Sequence, residues 1–163
     1  MVLDLTQALR APGQSFQFSF AQDWPPVVVA GERIRFEKPV KVQGSFVYTT
    51  ENFLVEGQLE AEYIGTCSRC LKDVPATMII EFREEFVKHT DEDHPDRYLY
   101  QGEKIELDTM VEDLLALNTP MRHLCNESCR GLCPVCGADR NIRECDCLGG
   151  PDGETPERTE FPN

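Results

Sequence analysis

Eight cysteines in three short clusters are the residues of this chain best suited to chemistry. Cys67-Ser68-Arg69-Cys70 is one pair, Cys125, Cys129, Cys133 and Cys136 form a run, and Cys145-Asp146-Cys147 closes the series. Four thiolates complete the tetrahedron around one Zn²⁺, so eight divide into two closed sites with none left over. A closed site fastens chain segments together and keeps no position for an activated water. The clusters therefore predict a zinc-stapled binding module rather than a metalloenzyme.

Spacing refines this. Cys133-Pro134-Val135-Cys136-Gly137 lets a tight loop wrap one ion, with Pro134 presetting a dihedral. Gly137 can take the positive φ that turns N–H groups toward the sulfurs. Cys145 and Cys147 stand where a small ribbon could return to complete the tetrahedron. Cys67, Cys70, Cys125 and Cys129 then form the other zinc site, a long-range clip on the C-terminal segment. The competing division puts Cys125, Cys129, Cys133 and Cys136 on one ion. It leaves Cys145-x-Cys147 to share a site with distant Cys67 and Cys70, a weak arrangement.

Catalytic patterns do not appear. His89, His94 and His123 make no H-E-x-x-H motif, and none has a Glu two positions on, as a zinc deaminase requires. There is no Gly-rich phosphate loop. Cys125 beside His123 reads more simply as a ligand with a neighbour than as a nucleophile with its base. The alternative to a binding module is a redox-responsive regulator or adaptor, since zinc thiolates can be oxidised with release of the metal.

The chain has 163 residues, 40% of them hydrophobic, and no run of the roughly 20 apolar residues that span a bilayer. Its first residues, Met1-Val-Leu-Asp-Leu-Thr-Gln7, hold an early acid and lack the basic-then-apolar order of an export signal. The expectation is a cytoplasmic protein, where thiols stay reduced and paired cysteines are metal ligands before they are disulfides. The formal net charge is −13. Residues 1–90 hold 9 Lys/Arg against 12 Asp/Glu, and residues 91–163 hold 7 against 17. Such a field repels bulk nucleic acid and attracts basic partners. One local exception stands out: Arg69, Arg122, Arg130, Arg140 and Arg143 flank the cysteines. They could ion-pair with nearby acids or with negative zinc centres, or bind phosphate of a nucleic acid.

The elements that must position these residues read mostly as strands. Phe16, Phe18 and Phe20 alternate along 15–20, and Val27–Val29 is a short apolar run. Residues 40–48 and 53–64 alternate around the turn at 49–52, giving the strongest hairpin. Residues 74–87 continue the alternation, so Cys67 and Cys70 fall in the connection between two long strands. Strands linked without helices predict an antiparallel sheet. Residues 108–118 predict one short helix, with Thr109 and Glu112 as a capping box and Val111, Leu114 and Leu115, with Met110 and Leu117, as its apolar stripe. The acidic stretch 89–96 reads as a solvated loop and 148–163 as a disordered tail. The fold class expected is α+β: an antiparallel sheet or open barrel over 1–107, a helix at 108–120, and a zinc-binding segment at 121–147 packed on it.

In order along the chain, Cys-x-Arg-Cys-Leu at 67–71, Glu106-Leu-Asp-Thr-Met-Val-Glu-Asp-Leu-Leu-Ala-Leu-Asn-Thr-Pro120, and Leu124-Cys-x3-Cys-Arg-Gly-Leu-Cys-Pro-x-Cys-Gly-Ala-Asp-x-Asn141 followed by Cys-x-Cys make a specific set. The whole resembles the cysteine-rich form of the YceD family, the large ribosomal RNA subunit accumulation proteins of bacteria and plastids. The resemblance implies a non-enzymatic role in ribosome biogenesis, in the accumulation of 23S ribosomal RNA. It implies as partner the large-subunit RNA, a pre-ribosomal particle or a basic ribosomal protein, with no membrane and no small-molecule substrate.

Overall fold

The computed structural model describes residues 1–89 and 97–148. The acidic stretch from residue 90 to 96 and the tail from residue 149 lie outside them. In chain order the elements are β1 (Val2–Asp4), α1 (Thr6–Arg10), β2 (Ser15–Gln22), β3 (Val27–Val29), β4 (Glu32–Phe36), β5 (Val40–Tyr48), β6 (Phe53–Thr66), β7 (Asp73–Val87), β8 (Tyr98–Leu99), β9 (Lys104–Glu106) and α2 (Asp108–Asn118), with a closing 3₁₀ turn at Asp146–Leu148.

Strand β6 is the spine. Its alternation buries Phe53, Val55, Leu59, Ala61 and Tyr63 on one face. One edge carries β7 along its full length, from Phe53↔Phe86 to Thr66↔Asp73. The other edge is shared: β5 pairs with Phe53–Glu60, then β4 takes over at Tyr63 and Ile64. Beyond β5 lies β2, and beyond β4 lies β3. The β5–β6 hairpin closes as expected, with the Thr49 N–H and hydroxyl both donating to the Asn52 carbonyl. The fold is thus mainly antiparallel sheet with few helices.

Three details differ from the sequence reading. First, β8 runs parallel to β7, through Phe86↔Tyr98 and Val87↔Leu99. The Phe86 and Tyr98 rings stack there at 5.3 Å, which anchors the two-residue β8 to the end of β7. Second, a helix α1 and a separate two-stranded ladder, β1 with β9, precede and support the expected helix. Third, α2 has no capping box. Its N-cap is Leu107, without a side-chain cap, because the β1–β9 ladder leads straight into it and the Leu107 N–H donates to the Met1 carbonyl. Asp108 sits in the first turn instead, ion-paired with the Met1 amino group and favourable to the helix dipole. Met110, Val111, Leu114 and Leu115 are buried, whereas Leu117 is 83% exposed.

One apolar core runs from Met1 to Leu115. A second, small cluster contains Cys67, Cys70 and Cys129, with Val74 and Leu132 against it. Among the described residues no helix is long and apolar enough to cross a membrane.

Candidate metal centres

The cysteines gather into two groups of four, Cys67/Cys70/Cys125/Cys129 and Cys133/Cys136/Cys145/Cys147. Within each group the sulfurs all lie within 4.8 Å of one another. All eight are free thiols. In the first group Cys67 Sγ is 3.9 Å from Cys129 Sγ, and Cys70 Sγ is 3.6 Å from Cys125 Sγ. A disulfide needs about 2.05 Å. A tetrahedron built on Zn–S bonds of about 2.3 Å has edges of about 3.8 Å. All-sulfur donors at that separation fit a soft tetrahedral ion such as Zn²⁺, and this partition is the one that spacing favoured. Each group is able to hold one metal ion.

Both pairs with two intervening residues fold into the same loop. The Cys67 N–H donates to the Lys72 carbonyl at 2.8 Å and the Leu71 N–H returns to the Cys67 carbonyl at 2.9 Å. Cys133 and Ala138 repeat the first bond at 2.8 Å, and Gly137 and Cys133 the second at 2.9 Å. The residue after the second cysteine is left-handed in each, Leu71 at φ 60° and Gly137 at φ 71°. This loop aims backbone N–H groups at the leading sulfur. Burial opposes ionisation of Cys67, but the N–H groups of Cys125, Arg69 and Cys70 bring its thiol down to about 6. N–H groups of Cys136 and Val135 bring Cys133 to about 6 as well, against burial. The crowded sulfurs do the opposite elsewhere: Cys129 and Cys70 push Cys125 up to about 12, and Cys136 pushes Cys147 up to about 12. Four sulfurs this close cannot all carry charge without a cation among them.

The first centre joins the β6–β7 connection to the segment after α2. Stitching extends beyond the sulfurs. The His123 carbonyl accepts from Ser68 N–H at 2.9 Å and from Ser68 Oγ at 3.0 Å, and the Leu132 N–H donates to the Arg69 carbonyl at 2.9 Å. The two centres are also joined to each other. Lys72, beside the first loop, ion-pairs with Asp139 at 2.7 Å, which holds the Asp139 carboxyl below the usual range. Asn141 donates through Nδ2 to Asp139 at 2.7 Å and to the Cys129 sulfur at 3.5 Å, while its Oδ1 accepts from the Arg130 N–H at 2.8 Å.

A buried relay lies next to the first centre. His123, 5% exposed, has Nδ1 3.2 Å from Glu32 Oε2 and Nε2 3.2 Å from the Tyr63 hydroxyl. Its ring nitrogens are therefore engaged by β4 and β6, and its bond to Cys125 as a catalytic pair is absent. Gly65 makes room for this ring: a Cβ there would stand 2.7 Å from it. Period and spacing reveal neither Glu32 nor Tyr63 as partners of His123, because 91 and 60 positions separate them. Lys72, Asp139 and Asn141 likewise look like ordinary surface residues until the fold brings them together.

The arginines divide. Arg69 Nη1 donates to the carbonyls of Glu127 at 3.1 Å and Cys129 at 2.9 Å, so its charge serves the clip. Arg130 pairs with Glu144 at 3.0 Å. Among the described residues the side chains of Arg122, Arg140 and Arg143 make no ion pair or hydrogen bond; Arg122 and Arg143 are exposed and Arg140 is half-buried.

Several known proteins are similar to this chain in sequence. An uncharacterized protein of Mycobacterium tuberculosis, Rv2926c, is 28% identical over 151 residues, covering 84% of this chain and 69% of its own. The uncharacterized protein YlbN of Bacillus subtilis is 28% identical over 139 residues, covering 83% and 81%. A protein of Arabidopsis thaliana named large ribosomal RNA subunit accumulation protein YCED homolog 1, chloroplastic, is 36% identical over 44 residues, 27% of this chain and 14% of that one. No solved structure matches. The family model described as large ribosomal RNA subunit accumulation protein YceD matches residues 55–157, a span that holds all eight cysteines and most of the long β6–β7 pair, and the chain belongs to the YceD family.

Proposed function

We propose that this protein is a non-enzymatic ribosome-biogenesis factor that supports accumulation of large-subunit ribosomal RNA, with one zinc ion in each cysteine group. Membership of the YceD family is the observation that carries the reading. The chemistry of the sites agrees with it. Eight cysteines are consumed by two four-sulfur groups, which would hold zinc structurally and leave no open position for substrate. A net charge of −13 favours a basic ribosomal protein, bare or within an assembly intermediate, as the direct partner. Arg122, Arg140 and Arg143 would touch RNA phosphate at the rim of that contact. Arg69 and Arg130, which also flank the cysteines, would act within the zinc-binding segment.

The test has two arms. Removing the gene should lower 23S relative to 16S RNA, and tagged protein should retrieve large-subunit material. Nuclease should leave a basic protein bound, and raising salt from about 0.05 to 0.5 M should release it. Absence of ribosomal material at every salt refutes the reading. Loss of retrieval on nuclease treatment alone, together with loss in R122A/R140A/R143A, would place RNA rather than protein as the direct partner.

A second reading, a redox-responsive adaptor, is favoured by one observation: Cys136 and Cys147 of the second group are exposed, whereas three of the four cysteines of the first are buried. Peroxide should then release the second zinc first, reversibly, with a change in partner retrieval. Irreversible loss of both ions together speaks against it.

A further inference from the structure

The sheet ends in one long unprotected edge. Among the described residues β2 pairs only with β5, through eight consecutive partners from Ser15↔Val47 to Gln22↔Val40. The outer strands β3 and β8 are short, with 3 and 2 residues, and the outer side of β7, which among the described residues pairs with β8 only at Phe86 and Val87, is guarded by Pro75 and by the charges of Glu81, Arg83, Glu84 and Glu85. Natural sheets guard long edges with charges, prolines or bulges. Strand β2 has none of these: its ladder is continuous, and no Asp, Glu, Lys or Arg occurs between Arg10 and Asp23 in a chain that is 28% charged.

Beside this edge lies a cleft of about 580 Å³. Phe16, Phe18 and Phe20 line one side, half-buried, and Val2, Gln7 and Arg10 the other. A strand added to β2 would project alternate side chains into it. Its charged lining residues are Asp4 and Arg10, one of each sign, so the cleft selects neither a basic nor an acidic segment.

The strand is complementary to itself. Residues 14–22 read Gln-Ser-Phe-Gln-Phe-Ser-Phe-Ala-Gln, nearly the same in both directions about Phe18. Antiparallel pairing with a second copy about a two-fold axis at Phe18 sets Gln14 opposite Gln22, Ser15 opposite Ala21, Phe16 opposite Phe20, and Gln17 opposite Ser19. Every Phe then meets a Phe on the cleft face, flanked there by Gln14 opposite Gln22, and on the other face Gln17 meets Ser19 and Ser15 meets Ala21. We infer that β2 is the interface of a homodimer in which two sheets join edge to edge. This is the isologous arrangement that a two-fold axis demands. It also keeps the charge off the seam.

Sedimentation of the zinc-loaded full chain tests this. The expected result is a monomer–dimer equilibrium with Kd of roughly 1–100 μM, in keeping with an interface of modest size. Each copy carries −13, so the dimer should tighten, by about tenfold, as salt rises from about 0.02 to 0.5 M. Docking of a basic segment would show the reverse trend. Gln17 and Ser19 are exposed and can take charge without disturbing the core. Q17K/S19K and Q17E/S19E should each weaken the dimer about tenfold or more, because like charges then stand opposite. An equimolar mixture of the two should restore it. As an independent measurement, amides of Ser15–Gln22 should gain exchange protection with protein concentration, which needs no variant. A chain that stays monomeric to about 500 μM in 0.5 M salt overturns the inference. So does a dimer that both charged variants retain, a dimer that salt dissolves, or a mixture that fails to reassociate.

Discussion

At the scale of single residues, the two cysteine loops make a controlled comparison within one chain. Both need a left-handed residue after the second cysteine, and one uses Leu71 where the other uses Gly137. A side chain at positive φ costs about 1–2 kcal/mol. Leu71 is 65% exposed, so little packing is lost with it. Leu71→Gly should therefore raise the thermal midpoint or leave it unchanged, despite a more flexible unfolded chain. Gly137→Ala should lower it, through a loss of about 1 kcal/mol of stability, and weaken metal retention at the second group against a chelator. No neighbour stands within 4 Å of a Cβ at Gly137, so the effect reports backbone conformation alone. An unchanged midpoint in Gly137→Ala would remove the role given to its left-handed turn.

At the scale of elements, charge on one strand gives a pH signature. Glu84 on β7 has its carboxyl raised above the ordinary value, first by burial and then by Asp113 of α2. Tyr98 of β8 donates to the same Asp113 at 3.0 Å, tying helix, strand and edge together. An acid whose folded pKa is raised favours the fold while protonated. Its contribution is complete below the unfolded value of about 4.3 and is lost as pH rises through the folded one. Glu84→Gln should therefore melt higher than the parent at pH 7, and the difference should shrink toward pH 4. Thermal melts at the two pH values decide it, and an equal difference at both would refute the assignment.

The strands that period two reveals are those long enough to show it. β5 and α2 have the bounds that alternation and helical spacing set, and β6 and β7 run only slightly further. Elements shaped by tertiary contact are not visible that way. β4, Glu-Arg-Ile-Arg-Phe, carries three charges and buries only Ile34, so its place on β6 rests on two ladder pairs and on the Glu32 carboxylate, which accepts from the Thr66 N–H and contacts His123. The capping-box spacing at Thr109 and Glu112 is present in the sequence yet unused, since the β1–β9 ladder already fixes where α2 begins. The cysteine groups were legible because sulfur valence and loop length allow few partitions. The arginines were half legible: spacing placed them near the cysteines, but only the fold shows that Arg69 and Arg130 spend their donors on Cys129, Glu127 and Glu144.

At the scale of the whole molecule, order has two sources. The sheet, α1 and α2 share an apolar core, whereas among the described residues the segment after α2 buries Thr119, His123, Cys129, Cys133 and Ala138 but no Leu, Ile, Val, Met, Phe, Tyr or Trp side chain. Burial of that size offsets little chain entropy. Metal should supply the difference. Stripping zinc with a chelator under reducing conditions should thus expose amides of residues 123–142 to rapid exchange while β5, β6 and β7 stay protected. Equal protection before and after chelation would show that the segment holds itself without metal.

The bridge made by Lys72, Asp139 and Asn141 carries a consequence for how the ions arrive. Whichever site is filled first already freezes the shared carboxylate and amide, so its neighbour has less disorder left to overcome. Zinc uptake should be steeper than two independent sites allow, with half-loaded chains scarce at the midpoint. Native mass spectrometry would count them, and Asn141→Ala should let the one-ion species accumulate.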